Sequence, residues 1–125
     1  MTQGRKRLLL VDDAATIRKL ARAVLGSEYD YYEAENGDQG IALCRAEQPD
    51  LIVMDLNMPV KDGLAALAEL KASADTRRVP VIILTSESEA GLRPRCEALG
   101  CVAFLRKPLD RVQLRNAVRS VLGAS

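Results

Sequence analysis

Histidine and tryptophan are absent from this chain, and its aromatic residues are one Phe and three Tyr. The three cysteines, Cys44, Cys96 and Cys101, are odd in number and widely spaced. With no imidazole to join them, a zinc site would need an unusual set of acidic partners, so buried reduced thiols are the expectation. Few aromatic rings speak against a reader of single-stranded nucleic acid, which stacks bases on such rings. An excess of either charge is also lacking: 18 basic against 17 acidic residues leave a net charge of +1, too weak a field to point to nucleic acid, a membrane surface or a polyanion. No apolar run approaches the length of a membrane span, and Met1-Thr2-Gln3-Gly4-Arg5-Lys6-Arg7 lacks the apolar core of a signal peptide. These absences lead to the expectation of a cytoplasmic protein with no nucleic-acid and no membrane partner.

What is present is an ordinary globular composition, 48% hydrophobic and 28% charged over 125 residues, enough for a single domain with one core. The ordered part is expected from about residue 6 to residue 122. One stretch organises the rest. Leu51-Ile52-Val53-Met54 is a short, wholly apolar run of the kind found in strands buried on both faces, and it runs straight into Asp55. Pro59, Asp62 and Gly63 then break the chain into a loop. A carboxylate at the C-terminal end of a central parallel strand has little structural use, but that end is where α/β sheets place their chemistry.

Taken in order, the chain repeats a pattern of strand followed by helix. Leu8-Leu9-Leu10-Val11 is apolar and ends in Asp12-Asp13. Ile17, Leu20, Ala21, Val24 and Leu25 follow at helical spacing, with Arg18, Lys19 and Arg22 on the other face and Gly26 placed to end the helix in a left-handed turn. Residues 29 to 34 form a more polar strand, suited to an edge. Asn36-Gly37 makes a turn into a helix over about 38–46, which stops before Pro49. After the central strand, a helix is predicted from Gly63 to about Lys71. Pro80 introduces the strand Val81-Ile82-Ile83-Leu84, ending at Thr85-Ser86. Gly91 and Pro94 are poor interior helix residues, so the next helix is placed late, over about 93–99, capped by Gly100. Val102-Ala103-Phe104-Leu105 is the fifth strand and ends in Arg106-Lys107-Pro108. A last helix carries Leu114, Ala117, Val118, Val121 and Leu122. Five such units predict an α/β fold with a doubly wound parallel sheet, helices on both faces and strand order 2-1-3-4-5.

Asp12, Asp13, Asp55, Thr85 and Lys107 all fall at or just past strand ends, so the topology gathers them at one rim. Carboxylates brought together resist joint ionisation unless positive charge intervenes. The Lys107 ammonium and a divalent cation would supply it, and oxygen-only ligands favour Mg²⁺ over softer ions. A lysine and a hydroxyl nearby suit the oxygens of a transferred phosphoryl group. The residues alone thus point to a Mg²⁺-dependent phosphate-handling site with a carboxylate nucleophile. Each has a plainer explanation: Asp12 or Asp13 as a helix cap, Thr85 as a strand-end hydroxyl, Lys107 as a solvated charge, Pro108 as a turn residue. Their conjunction at matching strand ends is what argues for chemistry.

The segments 8–13, 51–63, 81–85 and 104–108 resemble the defining segments of response-regulator receiver domains, over essentially the whole chain. The acid pair, the strand-end Asp55 followed by Met58-Pro59 and Asp62-Gly63, Thr85, and Lys107-Pro108 carry the resemblance, which is nearest to the single-domain, chemotaxis-type members of flavodoxin-like topology. It implies a phosphorylation-activated switch of a two-component system. Asp55 would be the phospho-acceptor. Asp13, Asp55 and the Asn57 backbone carbonyl would bind Mg²⁺ directly, and Asp12 through water. Lys107 would pair with the phosphoryl group, Thr85 would move to hydrogen-bond it, Phe104 would follow as the switch aromatic, and the Lys107–Pro108 bond would be cis. The altered face would be the fourth helix, fifth strand and fifth helix. Asn57 and Glu87 occupy the positions that influence phosphoryl lifetime in the family, and both could orient a hydrolytic water.

The partners implied are a histidine kinase or phosphotransfer protein as donor and a separate target protein, with the chain itself a monomer. It would not be an enzyme beyond its own phosphoryl transfer and dephosphorylation. Family members often have Tyr where this chain has Phe104, which cannot offer a hydroxyl to a partner and could simply pack in the core. An intermediate phosphate carrier in a phosphorelay is the nearest alternative. A phosphohydrolase would need a second acid where Asn57 stands, a flavin carrier would meet Asp12-Asp13 in its phosphate loop, and a phosphorylation-independent interaction module would leave the acids idle.

Overall fold

The computed structural model describes residues 4–123, so the ends of the expected single domain, residues 1–3 and 124–125, lie outside the described residues. The strands form where aliphatic side chains run together: β1 (Arg7–Val11), β3 (Leu51–Met54) and β4 (Val81–Thr85) are buried almost throughout. The more polar β2 (Asp30–Ala34) and the short β5 (Ala103–Arg106) flank them. All pairings are parallel, in the order β2-β1-β3-β4-β5. Parallel neighbours need a crossover, and a helix makes each one. These are α1 (Ala15–Leu25), α2 (Gly37–Glu47), α3 (Gly63–Ala72) and α4 (Leu92–Leu99), with α5 (Arg111–Leu122) closing the chain.

Because side chains alternate along a strand, the sheet feeds two separate cores. Leu8, Leu10, Leu51, Val53, Ile82 and Leu84 pack beneath α1 and α5 with Ala21, Val24, Leu114 and Val118. Leu9, Val11, Ile52, Met54, Val81 and Ile83 pack on the other face with Ile41, Leu67, Leu70 and Cys96. Cys44 and Cys96 are buried and Cys101 is half-buried, all as free thiols. Asn36, Asp62 and Asp110 cap α2, α3 and α5 by accepting the N–H groups of Gln39, Ala65 and Gln113.

Several boundaries differ from the sequence reading. β2 begins at Asp30, one residue later than expected, and β5 is shifted one residue along, so that Arg106 pairs with Thr85 while Val102 stays outside the strand. Both are edge strands, where few pairing constraints fix the ends. α4 begins at Leu92 because Gly91, at φ 84°, takes the left-handed N-cap conformation that a side chain would resist. Pro94 then falls in the first turn, where its missing N–H has no intrahelical acceptor to lose. Gly26 does end α1 with positive φ (92°), but its ψ of −173° is extended and no left-handed turn forms.

Strand register decides what meets at the C-terminal rim. Val11 pairs with Met54 and Met54 with Ile83, so Asp12 and Asp55 leave the sheet side by side. Ladder bonds continue past the strand ends: Asp55 N–H donates to Val11 O at 2.9 Å, Asp12 N–H to Ala34 O at 3.0 Å and Lys107 N–H to Thr85 O at 2.9 Å. The chain leaves β1 and β3 in opposite directions, which opens a crevice between them.

Candidate functional site

Asp12 and Asp55 are each 5% exposed, while Asp13 faces solvent. One carboxylate oxygen from each of the three lies within 4.8 Å of the others. Lys107, at the end of β5, crosses the crevice to them: its Nζ donates to Asp12 Oδ2 at 2.9 Å and to Asp55 Oδ2 at 3.1 Å. The second oxygens are held locally, since Asp12 Oδ1 accepts the Ala14 N–H at 2.9 Å and Asp55 Oδ1 the Asn57 N–H at 3.2 Å. Both are side chains bonding the backbone two residues on, the habit of aspartate at turns.

The electrostatics are short of positive charge. Burial pushes the Asp12 carboxyl above its ordinary value, against the Lys107 hydrogen bond and the Ala14 N–H, which pull it down. Burial also works to lower the Lys107 ammonium, but hydrogen bonds to Asp12 and Asp55 outweigh it and leave Lys107 raised. Three carboxylates facing one ammonium leave two negative charges uncompensated (three minus one). The donor set is hard oxygen only, partly buried and open through Asp13. Such a site fits a small divalent cation that keeps some of its water, as magnesium does.

The remaining residues singled out from the sequence lie around this cluster. Thr85, fully buried at the end of β4, accepts the Glu87 N–H on its Oγ1 at 3.1 Å. The Glu87 side chain is exposed, and its carbonyl accepts from the Arg106 guanidinium at 3.3 Å. Asn57 is exposed and touches the cluster through its backbone N–H. Among the described residues, neither the Thr85 hydroxyl nor the Glu87 carboxylate hydrogen-bonds to the acids. Phe104 is 6% exposed and packs in the core beneath α2, α3 and α4, with the Arg93 guanidinium 5.9 Å from its ring centre. The Lys107–Pro108 bond is cis.

Two supporting residues escaped the sequence reading. Arg18, read there as part of the outer face of α1, turns inward instead. Its guanidinium donates to the Asp12 carbonyl and, at 2.8 Å, to Glu33 Oε1 on β2, where Arg22 meets the other oxygen at 2.8 Å. Helical spacing shows which face a residue takes, but not that an acid on the edge strand stands opposite. Gly63 was read as a loop breaker, as a helix start and, with Asp62, as part of the family resemblance, but not for its closeness to Asp55. A Cβ there would fall 2.0 Å from the Asp55 carbonyl oxygen, so only glycine lets α3 start against the strand end that carries Asp55. The Asp62-Gly63 pair at a helix start was the available signal.

The family described as "Response regulator receiver domain" matches residues 8–119. The chain belongs to the response regulator receiver family. It is 35% identical over 117 residues to protein PilH of Pseudomonas aeruginosa, covering 93% of this chain and 97% of that one. It is 32% identical to the chemotaxis protein CheY of Halobacterium salinarum, covering 95% and 98%. Among solved structures, the receiver domain of sensor histidine kinase PA1611 from Pseudomonas aeruginosa, which has a magnesium ion coordinated in its active site cleft, superposes with a TM-score of 0.85 at 31% identity over 97% of this chain and 100% of that one. Other relatives are longer, and the chain spans 32% and 48% of two of them. Receiver domains are signalling modules that work with histidine kinases or phosphotransfer proteins and with downstream targets. As a receiver, this chain is a phosphorylation-activated switch of two-component signalling. Among the described residues, no helix is long and apolar enough to cross a membrane.

Proposed function

We propose that Asp55 is the residue that carries the phosphoryl group. The observation behind this assignment is the double contact of Lys107 with Asp12 and Asp55 beside the third acid, Asp13. In the transfer, a carboxylate oxygen of Asp55 attacks phosphorus and the P–N bond to the donor imidazole breaks. The imidazole keeps the electron pair and takes up a proton. Lys107 turns from the Asp55 carboxylate to the arriving phosphoryl oxygens, and the Thr85 hydroxyl leaves the Glu87 N–H to donate to one of them. Asp13, Asp55 and the Asn57 backbone carbonyl would hold Mg²⁺, with Asp12 reaching it through water. Bound there, magnesium supplies the missing positive charge to the carboxylates and the phosphoryl oxygens.

The donor is a histidine kinase or phosphotransfer protein, and the output is a separate protein that docks on the face made by α4, β5 and α5. Phe104 and Thr85 couple the pocket to that face, while Asn57 and Glu87 set how long the phosphoryl group survives by orienting water. The chain acts as one cytoplasmic, monomeric domain with no catalytic task beyond its own phosphoryl transfer and hydrolysis. The deciding experiment is labelling by acetyl phosphate in magnesium buffer, followed by mass spectrometry. Wild type should gain one phosphoryl group and Asp55→Asn none; labelling retained in the variant would move the acceptor elsewhere.

A further inference from the structure

Asp13 is held quite differently from its neighbour in the chain. Every polar group of Asp12 has a partner. Its N–H donates to Ala34 O at 3.0 Å, Oδ1 accepts the Ala14 N–H at 2.9 Å, Oδ2 accepts Lys107 Nζ at 2.9 Å, and its carbonyl accepts the Arg18 guanidinium. Asp13 is exposed, and among the described residues neither its backbone nor its carboxylate takes part in a hydrogen bond. The helix behind it gives no support, because α1 starts without a side-chain cap and without an acid in its first turn. The direction of the Asp13 carboxylate is therefore inherited from the peptide that joins it to Asp12.

That peptide is planar, so the Asp12 carbonyl oxygen and the Asp13 nitrogen turn together. Arg18 holds the oxygen and is itself held. Its Nε meets Glu33 Oε1 at 2.8 Å, its side chain is 13% exposed, and Arg22 takes the other Glu33 oxygen at 2.8 Å. One guanidinium thus ties the loop that carries Asp13 to the edge strand β2, using the rigid fork that lets arginine bond two acceptors at once. Charge alone gives no reason for a cation here, since one placed beside a cation site repels the incoming ion. The two effects have opposite signs. Repulsion makes Arg18 a hindrance to magnesium, whereas the grip on the peptide makes it a help.

We propose that Arg18 is a positioning residue for magnesium, which holds the Asp12 carbonyl and so aims the Asp13 carboxylate at the ion. This rests on Asp12, Asp13 and Asp55 forming the magnesium site. Groups that orient a metal's ligands without touching the metal change its affinity by about 10- to 100-fold, enough to outweigh the repulsion of a cation already paired with Glu33.

The test titrates the metal-free protein with magnesium chloride in a calorimeter, after urea unfolding has shown each variant to be folded. Arg18→Met removes both bonds and should weaken magnesium binding by about tenfold or more. Arg18→Gln, a milder change too short to bridge the two acceptors, should weaken it in the same direction. Arg22→Met takes a cation from the same Glu33 but nothing from Asp12, and should stay within about twofold of wild type. In nitrogen-15 spectra of the metal-free protein, the Asp13 amide should move in both Arg18 variants, and the Asn57 amide on Asp55 should not. Unchanged or tighter binding in the Arg18 variants would overturn the proposal, as repulsion would then be the larger effect. An equal loss in Arg22→Met would assign the effect to the tie between α1 and β2 and overturn it too, as would an unmoved Asp13 amide. A wild type that takes up no magnesium would sink the metal site itself, and the role of Arg18 with it.

Discussion

At the scale of single residues, the pocket is a problem of surplus negative charge, and each side chain can be judged by what its removal does to that surplus. Asp13→Asn removes one exposed acid from a crowded set, so the metal-free protein should become more stable, by about 1 kcal/mol. The same change should remove most of the rise in melting temperature that magnesium gives wild type, because a ligand that binds only the folded state stabilises it by mass action. Thermal melts with and without magnesium check both halves. Lys107→Ala leaves Asp12 and Asp55 buried without their cation and should cost about 3 kcal/mol in metal-free buffer, measured by urea unfolding. The Lys107 ammonium is raised in the folded protein, so its contribution is complete below the ordinary lysine value of 10.5 and is lost as pH rises through the higher folded value. The acids were legible in the sequence because each interrupts an apolar run. The Lys107 ammonium was expected beside them from its place at a strand end, but which carboxylates it grips, 95 and 52 positions away across the sheet, was not.

Elements set the placement of those residues, and their identities were easier to read than their limits. β1, β3 and β4 were plain because continuous aliphatic runs cannot be left in water. The ends of β2, β5 and α4 shifted by a residue or so, since solvent-facing edges and a first helical turn tolerate more than one solution. The start of α3 tolerates none. Gly63→Ala would drive a methyl group into the Asp55 carbonyl and should cost about 3 kcal/mol or more, with phosphoryl labelling falling alongside. The tie between α1 and β2 is milder. Burial opposes ionisation of Glu33, but hydrogen bonds from Arg18 and Arg22 prevail and hold its carboxyl below 4.5. Its contribution is therefore present above that value and is lost as pH falls through the lowered one. Glu33→Gln should cost about 1 kcal/mol at neutral pH, with the gap to wild type closing in acid, as urea titrations at the two pH values would show.

For the molecule as a whole, the strand order was predictable because right-handed crossovers and a polar edge strand leave few arrangements. The resemblance implied a route from the pocket through Thr85 and Phe104 to the face of α4, β5 and α5, but not the backbone hold on Glu87 that stands beside it. Glu87 is gripped from both sides, its N–H on the Thr85 hydroxyl and its carbonyl on Arg106. Moving the hydroxyl toward a phosphoryl group frees one grip and loosens the other. Hydrogen exchange with beryllofluoride and magnesium, against magnesium alone, should therefore change over residues 86–106 and leave α1 and α2 at their original rates. Uniform change across the sheet would argue against this route. The two-handed hold of Lys107 on the resting acids carries one more consequence. Lys107 puts a positive charge in the crevice without any ion, so, with magnesium required for transfer as proposed, a cell short of it would keep this protein intact but silent. Replenishing the ion would revive its response at once, with no folding delay.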